Sequence, residues 1–345
     1  MQSLSATLTG ARPQSATLRE QASIPRAEYV GLCCPACNVH LVEMTYHALG
    51  REHEPIECVE CGAVLRQARG IWLALPENRR AYFERFIREY EAIRKAEKRG
   101  SENALFYLSL PFHDRTERNS WQWAIRARTY AYLERQILPA ISADLSERLT
   151  VLDLGAGNGW LSYRLARQGQ RPIAVDLQTN AFDGLGAAVH YQQVLPTLFP
   201  RFQAELDHLP FVDGQFDCAI FNASFHYSEN YDRTLSEALR CVRPGGTIVI
   251  ADSPCYSREE WGQQMVEERR KMFQEQFGFA SDSLFSCEYL TDEKLLALEA
   301  RHDLQWTTHE PWYGIRWACR PLVARLKRRR EPSQFRIYTA QVKVT

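Results

Sequence analysis

No stretch of this 345-residue chain approaches the run of about 20 apolar residues that a membrane-spanning helix needs. It carries no excess of charge either. Its 42 Lys and Arg balance 42 Asp and Glu, which excludes a global electrostatic pull toward nucleic acid or a membrane. The first residues lack the apolar core of a secretory signal peptide, and no internal repeat is evident. Ten cysteines would suit an oxidised, secreted protein. Four of them have metal-site spacing and the rest are scattered, so a reducing cytoplasm is the expected location. With 45% apolar and 24% charged residues, the composition is that of a soluble globular protein. The length allows a full α/β domain plus a small accessory one.

Residues 1–27 are rich in Ser, Thr, Ala and Gln, with Arg12, Arg19 and Arg26. They could pass for an organelle transit peptide, but a disordered tail is the simpler expectation. Beyond them, Cys34-Pro-Ala-Cys37 and Cys58-Val-Glu-Cys61 stand twenty residues apart. Each pair can form a tight knuckle, and two knuckles close a four-thiolate structural zinc site. Cys33 could replace Cys34 in an off-register knuckle, although the spacing favours Cys34. A closed site of this kind supports folding rather than catalysis.

The most informative segment is Val151-Leu-Asp-Leu-Gly-Ala-Gly-Asn-Gly-Trp-Leu161. A buried strand runs into three alternate glycines, and a helix over 160–167 follows at once. Glycine permits a sharp turn and close approach of a ligand. The helix start aims free N–H groups at that ligand. The dinucleotide pattern needs a third glycine where Trp160 stands, so that reading fails. One unit later, Pro172-Ile-Ala-Val-Asp176 ends a second strand. Asp176 is placed to take two ribose hydroxyls, or else to be a solvated strand-end acid.

The pattern Asp-x-Gly-x-Gly-x-Gly resembles the first motif of class I S-adenosylmethionine-dependent methyltransferases. The order downstream, over roughly 120–255, resembles the broad "type 11" group. The resemblance implies a Rossmann-like α/β fold, a seven-stranded sheet with helices on both faces. It also implies S-adenosylmethionine as cofactor. Asp153 would hold its methionine end, with Gly155, Ala156, Gly157, Asn158 and Gly159 beneath it. Asp176 and Leu177 would meet the ribose. In Gln203-Ala-Glu205-Leu206-Asp207-His-Leu-Pro-Phe211, Glu205 would receive the adenine amino group, with Asp207 in reserve. Asn222 lies at the exit of strand four. An arginine from the preceding helix, Arg126 or Arg128, would pair with the methionine carboxylate, which wants a forked donor. The alternative for either is a surface arginine. The Cys segment, ending Gly70-Ile-Trp-Leu-Ala-Leu-Pro76, resembles small zinc ribbons related to a tRNA-methyltransferase activator.

These readings divide the chain into a ribbon (28–76), a helical linker with cofactor-covering helices (77–145), a cofactor-binding core (146–255) and a C-terminal part (256–345). In the linker, Phe83, Phe86, Ile87, Tyr90 and Ile93 recur at three and four, an amphipathic helix whose charges read as solvation. Residues 183–191 lack a clean helix pattern and could wall the pocket. A helix over 258–277 sits where a lid often lies. Two antiparallel strands, near 303–309 and 335–344, should finish the sheet. The basic run Arg325–Arg330 reads as a solvated loop, or as a phosphate grip.

Methyl transfer from a sulfonium is an in-line displacement, so the protein supplies alignment and sometimes a base. His226 and Tyr227, just past strand four, are the catalytic candidates, His226 as general base. The competing reading is an aromatic pair packed on the cofactor. The exit Asn222-Ala-Ser-Phe225 differs from the Asn-Pro-Pro-Tyr that enzymes methylating planar amino groups often carry. Oxygen, ring nitrogen or carbon acceptors stay open. Three functions follow. The first is a small-molecule methyltransferase, with no membrane partner. The second is a ribosomal-RNA methyltransferase presenting substrate on its ribbon. The third is a non-enzymatic cofactor-binding protein that docks a protein partner through the ribbon.

Overall fold

A computed structural model describes residues 28–143 and 148–343, so the expected tail over 1–27 lies outside the described residues. The N-terminal strands are β1 (Tyr29–Cys33), β2 (His40–Thr45), β3 (Ile56–Glu57), β4 (Val64–Ala68) and β5 (Ile71–Leu73). Short helix α1 (Tyr46–Leu49) follows β2. Helices α2 (Glu77–Ala96), α3 (Ala104–Ser109), α4 (Ser120–Tyr132) and α5 (Leu138–Ser142) come next, the last two joined by a π-helical turn. The alternating part is β6 (Thr150–Leu154), α6 (Trp160–Arg167), β7 (Arg171–Asp176), β8 (Arg201–Gln203), β9 (Phe216–Asn222), α7 (Tyr231–Cys241) and β10 (Val242–Ala251). The C-terminal part holds β11 (Cys255–Tyr256), α8 (Glu259–Phe277), β12 (Leu290–Thr291), α9 (Asp292–His302), β13 (Thr307–His309), α10 (Ile315–Ala318), α11 (Arg320–Leu326) and β14 (Ile337–Gln341).

The main sheet runs β13-β14-β10-β9-β6-β7-β8-β5-β4-β3. Its first seven strands are the seven that were expected. β6 pairs in parallel with both β7 and β9, and β14 is antiparallel to β10. Chain order reverses between β6 and β9, which opens a crevice at their C-terminal ends. Side chains alternate across each strand, as the pleat requires. Leu152, Leu154, Ile173 and Val175 face one core with Leu235 and Ala238 of α7. Val151, Ala174, Cys218 and Ile220 face the other, against Trp123, Tyr130 and Leu161. These near-continuous apolar runs are what strands buried on both faces require.

The sheet has ten strands rather than seven because the Cys-rich segment joins it. β5 pairs in parallel with β8, and β4 and β3 continue the edge. Val30, Leu32, Leu65 and Trp72 therefore belong to the same core as Leu152 and Phe202. Trp72 is fully buried, lies 6.0 Å from Phe202 in a stacked arrangement, and donates from Nε1 to the carbonyl of Leu49 at 3.0 Å. β1 is tied to the loop before β9, where the Gln215 side chain bonds both N–H and C=O of Gly31 at 2.8 and 2.9 Å. The structure thus shows a ribbon whose core is shared with the α/β sheet.

Trp72→Ala should cost about 3–5 kcal/mol, the range for emptying a large core site. Urea unfolding of the parent chain, followed by ribbon and sheet probes, should give coincident transitions. Two separated transitions would show that the ribbon is an independent unit.

Candidate cofactor cleft and thiolate cluster

At the C-terminal ends of β6, β7 and β9 lies a cleft with both polar and apolar walls, open on one side to solvent. The turn after β6 shapes its floor. The N–H groups of Gly155 and Ala156 both donate to the carbonyl of Val175, at 2.8 and 3.0 Å. Gly155 has φ +75°, and a Cβ there would stand 2.2 Å from that of Ser224. No other residue type fits this turn. Gly157 and Asn158 line the cleft, but Gly159 does not. It precedes α6 in the left-handed conformation, where a Cβ would meet Phe199 at 2.9 Å. Its observed part is to start the helix.

Asp153 and Asp176 both line the cleft. Asp153 is buried, and its Oδ2 accepts from the N–H and hydroxyl of Ser162 at 3.1 and 2.6 Å. Asp176 accepts from the N–H of Gly157 at 2.8 Å and of Gln178 at 2.7 Å, one bond to each oxygen. Burial pushes Asp153 up to about 7 and Asp176 to about 6. Desolvation of this kind disfavours a charged carboxylate that lacks a cation. Leu177, Leu206, Ala156 and Asn222 also line the cleft, and the buried Oδ1 of Asn222 has no hydrogen-bond partner.

Arg126 reaches the cleft and Arg128 does not. Two helical positions apart, they leave α4 on different faces. Arg128 donates to the carbonyl of Tyr313. Arg126 lies over the Trp123 ring, 5.0 Å from its centroid, and makes no ion pair among the described residues. Burial, with repulsion from Arg94 and Arg99, lowers its pKa. The Asp252 carboxyl acts on it in the opposite sense without forming an ion pair.

Two expected acids are diverted. Both oxygens of Glu205 accept from Arg79, at 2.6–2.9 Å, and Asp207 pairs with Arg233 at 3.4 Å. Only the flanking Ala204 and Leu206 line the cleft, because successive side chains after β8 point to opposite sides. His226 is likewise not part of the lining, whereas Tyr227 is. The His226 Nδ1 lies 3.3 Å from the Ser253 hydroxyl, and burial lowers its pKa to about 4. That leaves it neutral near pH 7.

Helix α2 supplies what the sequence reading missed. Phe86, Tyr90 and Arg94, at successive intervals of four, form one stripe along the cleft. Tyr90 meets Tyr227 edge-on at 5.8 Å. Arg94 pairs with Asp183, which also lines the cleft and accepts from Asn158 at 3.4 Å. The available signal was position: Arg79 and Arg94 fall four residues from Phe83 and Tyr90, on the apolar stripe rather than opposite it.

Cys34, Cys37, Cys58 and Cys61 come together with all four sulfurs within 4.8 Å of one another. Cys34 and Cys61 lie 3.5 Å apart, Cys37 and Cys58 3.6 Å. A tetrahedral ion with bonds of about 2.3 Å needs sulfurs roughly 3.8 Å apart, so the donor set fits. Cys33 is outside the cluster, which settles the register in favour of Cys34.

A family model described as a methyltransferase domain matches residues 152–250. The demethylmenaquinone methyltransferase of Beutenbergia cavernae is 34% identical over 128 residues, covering 37% of this chain and 48% of that protein. The fatty-acid O-methyltransferase of Mycolicibacterium smegmatis is 30% identical over 129 residues, 37% of this chain and 46% of that protein. The malonyl-[acyl-carrier protein] O-methyltransferase of Buchnera aphidicola is 26% identical over 106 residues, 30% of this chain and 39% of that protein. The chain thus spans under half the length of these relatives. Among solved structures, YcgJ of Bacillus subtilis aligns with TM-score 0.44 and 13% identity over 61% of this chain and 100% of that one, a likeness too loose to build on.

Raised carboxylate pKa values have a sign. Between the ordinary value near ~3.9 and about 7, the folded chain holds protons that the unfolded chain has released. The cofactor-free protein should therefore lose stability as pH rises across that window. Asp153→Asn should shrink the difference in stability between pH 5 and pH 7.5 by on the order of 2 kcal/mol. Urea midpoints at the two pH values measure it, and an unchanged difference would rule out burial of Asp153 as the cause.

Proposed function

We propose that this chain, whose residues 152–250 form a class I S-adenosylmethionine-dependent methyltransferase domain, transfers a methyl group from S-adenosylmethionine to a small-molecule acceptor. The observation that carries the reading is the cleft itself. It combines the Asp153–Gly159 turn, the strand-end Asp176, and Arg126, which has no direct ion pair, at one switch point of a parallel sheet. The residues present fit the cofactor. Arg126 makes no direct ion pair among the described residues, and Asn222 Oδ1 lacks a donor. Gly157 leaves open space above it, with only the Asp183 carbonyl within 4 Å of a built Cβ, at 3.6 Å.

When bound, S-adenosylmethionine would supply the activated methyl group. Arg126 would hold its carboxylate, and Asp153 its amino group. Asp176 would accept from the ribose hydroxyls while keeping its two backbone bonds. Phe86, Tyr90 and Tyr227 would shut water out, which strengthens each of these interactions. The adenine edge would rest on Leu177, Ala204 and Leu206 rather than on Glu205. With Asp153 and Asp176 both engaged by the cofactor, alignment and desolvation would do the catalytic work. That suits an acceptor that enters already nucleophilic. The small-molecule reading draws support from the relatives, which are named for methylating a quinone precursor, a fatty acid and a carrier-bound acyl group. The thiolate cluster would hold zinc in a closed, structural role.

Asp153→Ala should weaken S-adenosylmethionine binding at least tenfold in a calorimetric titration without loss of the fold, and unchanged affinity would sink the assignment. Cys58→Ser should lose bound zinc and lower the melting temperature. A parent chain expressed with zinc available but free of it by metal analysis would refute the ribbon reading. Transfer of labelled methyl into a cell extract should survive ribonuclease and appear in a protein-free, low-mass fraction. Label lost with ribonuclease would make RNA the acceptor.

A further inference from the structure

The stretch from Trp312 to Arg330 holds seven Arg and Lys and no acid, in a chain whose charges balance as a whole. It forms α10 and α11 and the turn after them, inserted between the edge strand β13 and its neighbour β14. Its apolar side chains are on the outside. Trp312 is 68% exposed, Ile315 75%, Leu322 61% and Leu326 77%. Leu322 and Leu326 lie one helical turn apart, on the same face of α11. Single exposed apolar residues are ordinary, but a cluster of large ones marks a docking surface.

Charge decides what docks. Arg325, Lys327, Arg328 and Arg329 make no ion pair among the described residues, whereas most arginines of α2 do. Exposed aliphatic side chains on a short helix that also carries unpaired cations, as Arg325 flanks Leu322 and Leu326, are what an interfacial helix presents to an anionic bilayer. RNA would satisfy the cations but has no use for exposed Ile315, Leu322 and Leu326. A second copy of this chain would put cation against cation. We propose that the α10–α11 insertion docks the protein on the surface of an anionic membrane. Its apolar side chains would enter the headgroup boundary, and Arg325 and Lys327–Arg329 would meet lipid phosphates. This departs from the expectation of no membrane partner, which rested on net charge over the whole chain.

The patch is joined to the cleft. Tyr313 bonds through its hydroxyl to Thr129 at 2.9 Å and through its carbonyl to Arg128. Both partners are on α4, the helix that carries Arg126. Arg316 lies over the Trp121 ring at the start of α4, 4.7 Å from the centroid. Docking would therefore bring a membrane-borne acceptor close to the cleft. That last step rests on the methyltransferase reading, but docking itself does not.

The test is co-sedimentation of the full chain with vesicles of phosphatidylcholine alone and of phosphatidylcholine mixed with phosphatidylglycerol. Binding is expected only to the mixed vesicles, weakening as salt is raised. The double variant Leu322→Glu, Leu326→Glu should abolish it. Arg328→Glu with Arg329→Glu should weaken it about tenfold or more, given about one kcal/mol per basic residue at such a surface. All four sites are exposed, so an unchanged melting temperature should accompany each variant. Equal binding by the Leu variant, or no binding to either vesicle, would overturn the proposal. So would capture of the parent chain by a generic RNA with no capture by vesicles. An S-adenosylmethionine titration of the same samples separates these failures from failure of the cleft assignment.

Discussion

At the end of β6 the backbone turns so tightly that a Cβ on Gly155 would stand 2.2 Å from that of Ser224 at the end of β9. Two N–H groups of the turn converge on one carbonyl of β7. Strands on both sides thus clamp the loop, and the clamp exists only because β6 pairs with each of them. Move the turn outward by the width of a methyl group and Asp153, Asn158 and the start of α6 would lose their common register. The acids of the cleft depend on this turn as well, since Asp176 accepts from the N–H of Gly157. A rigid backbone frame of this kind holds Asp153 and Asp176 buried on hydrogen bonds from the turn and from α6.

The ribbon and the cleft form one mechanical unit. β5 extends the sheet beside β8 and leads, after only three residues, into α2. That helix covers the cleft with Phe86 and Tyr90 and fastens itself at both ends through ion pairs with Glu205 and Asp183. The imidazole of His208 lies 2.9 Å from the carbonyl of Pro35 inside the first Cys knuckle, so the metal-site loop also touches the loop carrying Glu205. An ion closed in by the four thiolates would hold those knuckles without taking part in chemistry. Its influence on the cleft would travel through packing along β5 and α2, not through contact with substrate.

Net charge averages over space. The ribbon is acidic around Glu52, Glu54, Glu57 and Glu60, while the insertion before β14 is basic throughout. The sum is zero, yet a surface a few Debye lengths across feels the local charge and not the sum. A neutral chain can therefore carry a strongly basic docking face.

The strand–turn–helix unit at Val151–Leu161, the acid closing β7, and the four cysteines were legible in the sequence because each depends on local spacing that the backbone alone enforces. The seven-strand order came through resemblance, and the buried runs agreed with it. What Glu205, Asp207, Arg128 and His226 do was not legible. Each has the right chemistry at nearly the right place, and each is turned away by a partner or a face that lies far off in sequence: Arg79, Arg233, Tyr313 and Ser253. The same holds for α2, whose stripe could be read but not what it covers. The sequence alone therefore determined which backbone would bind and which thiols would gather. Only the tertiary structure decided which side chains face the cleft, because orientation depends on competition among distant partners for the same buried charges.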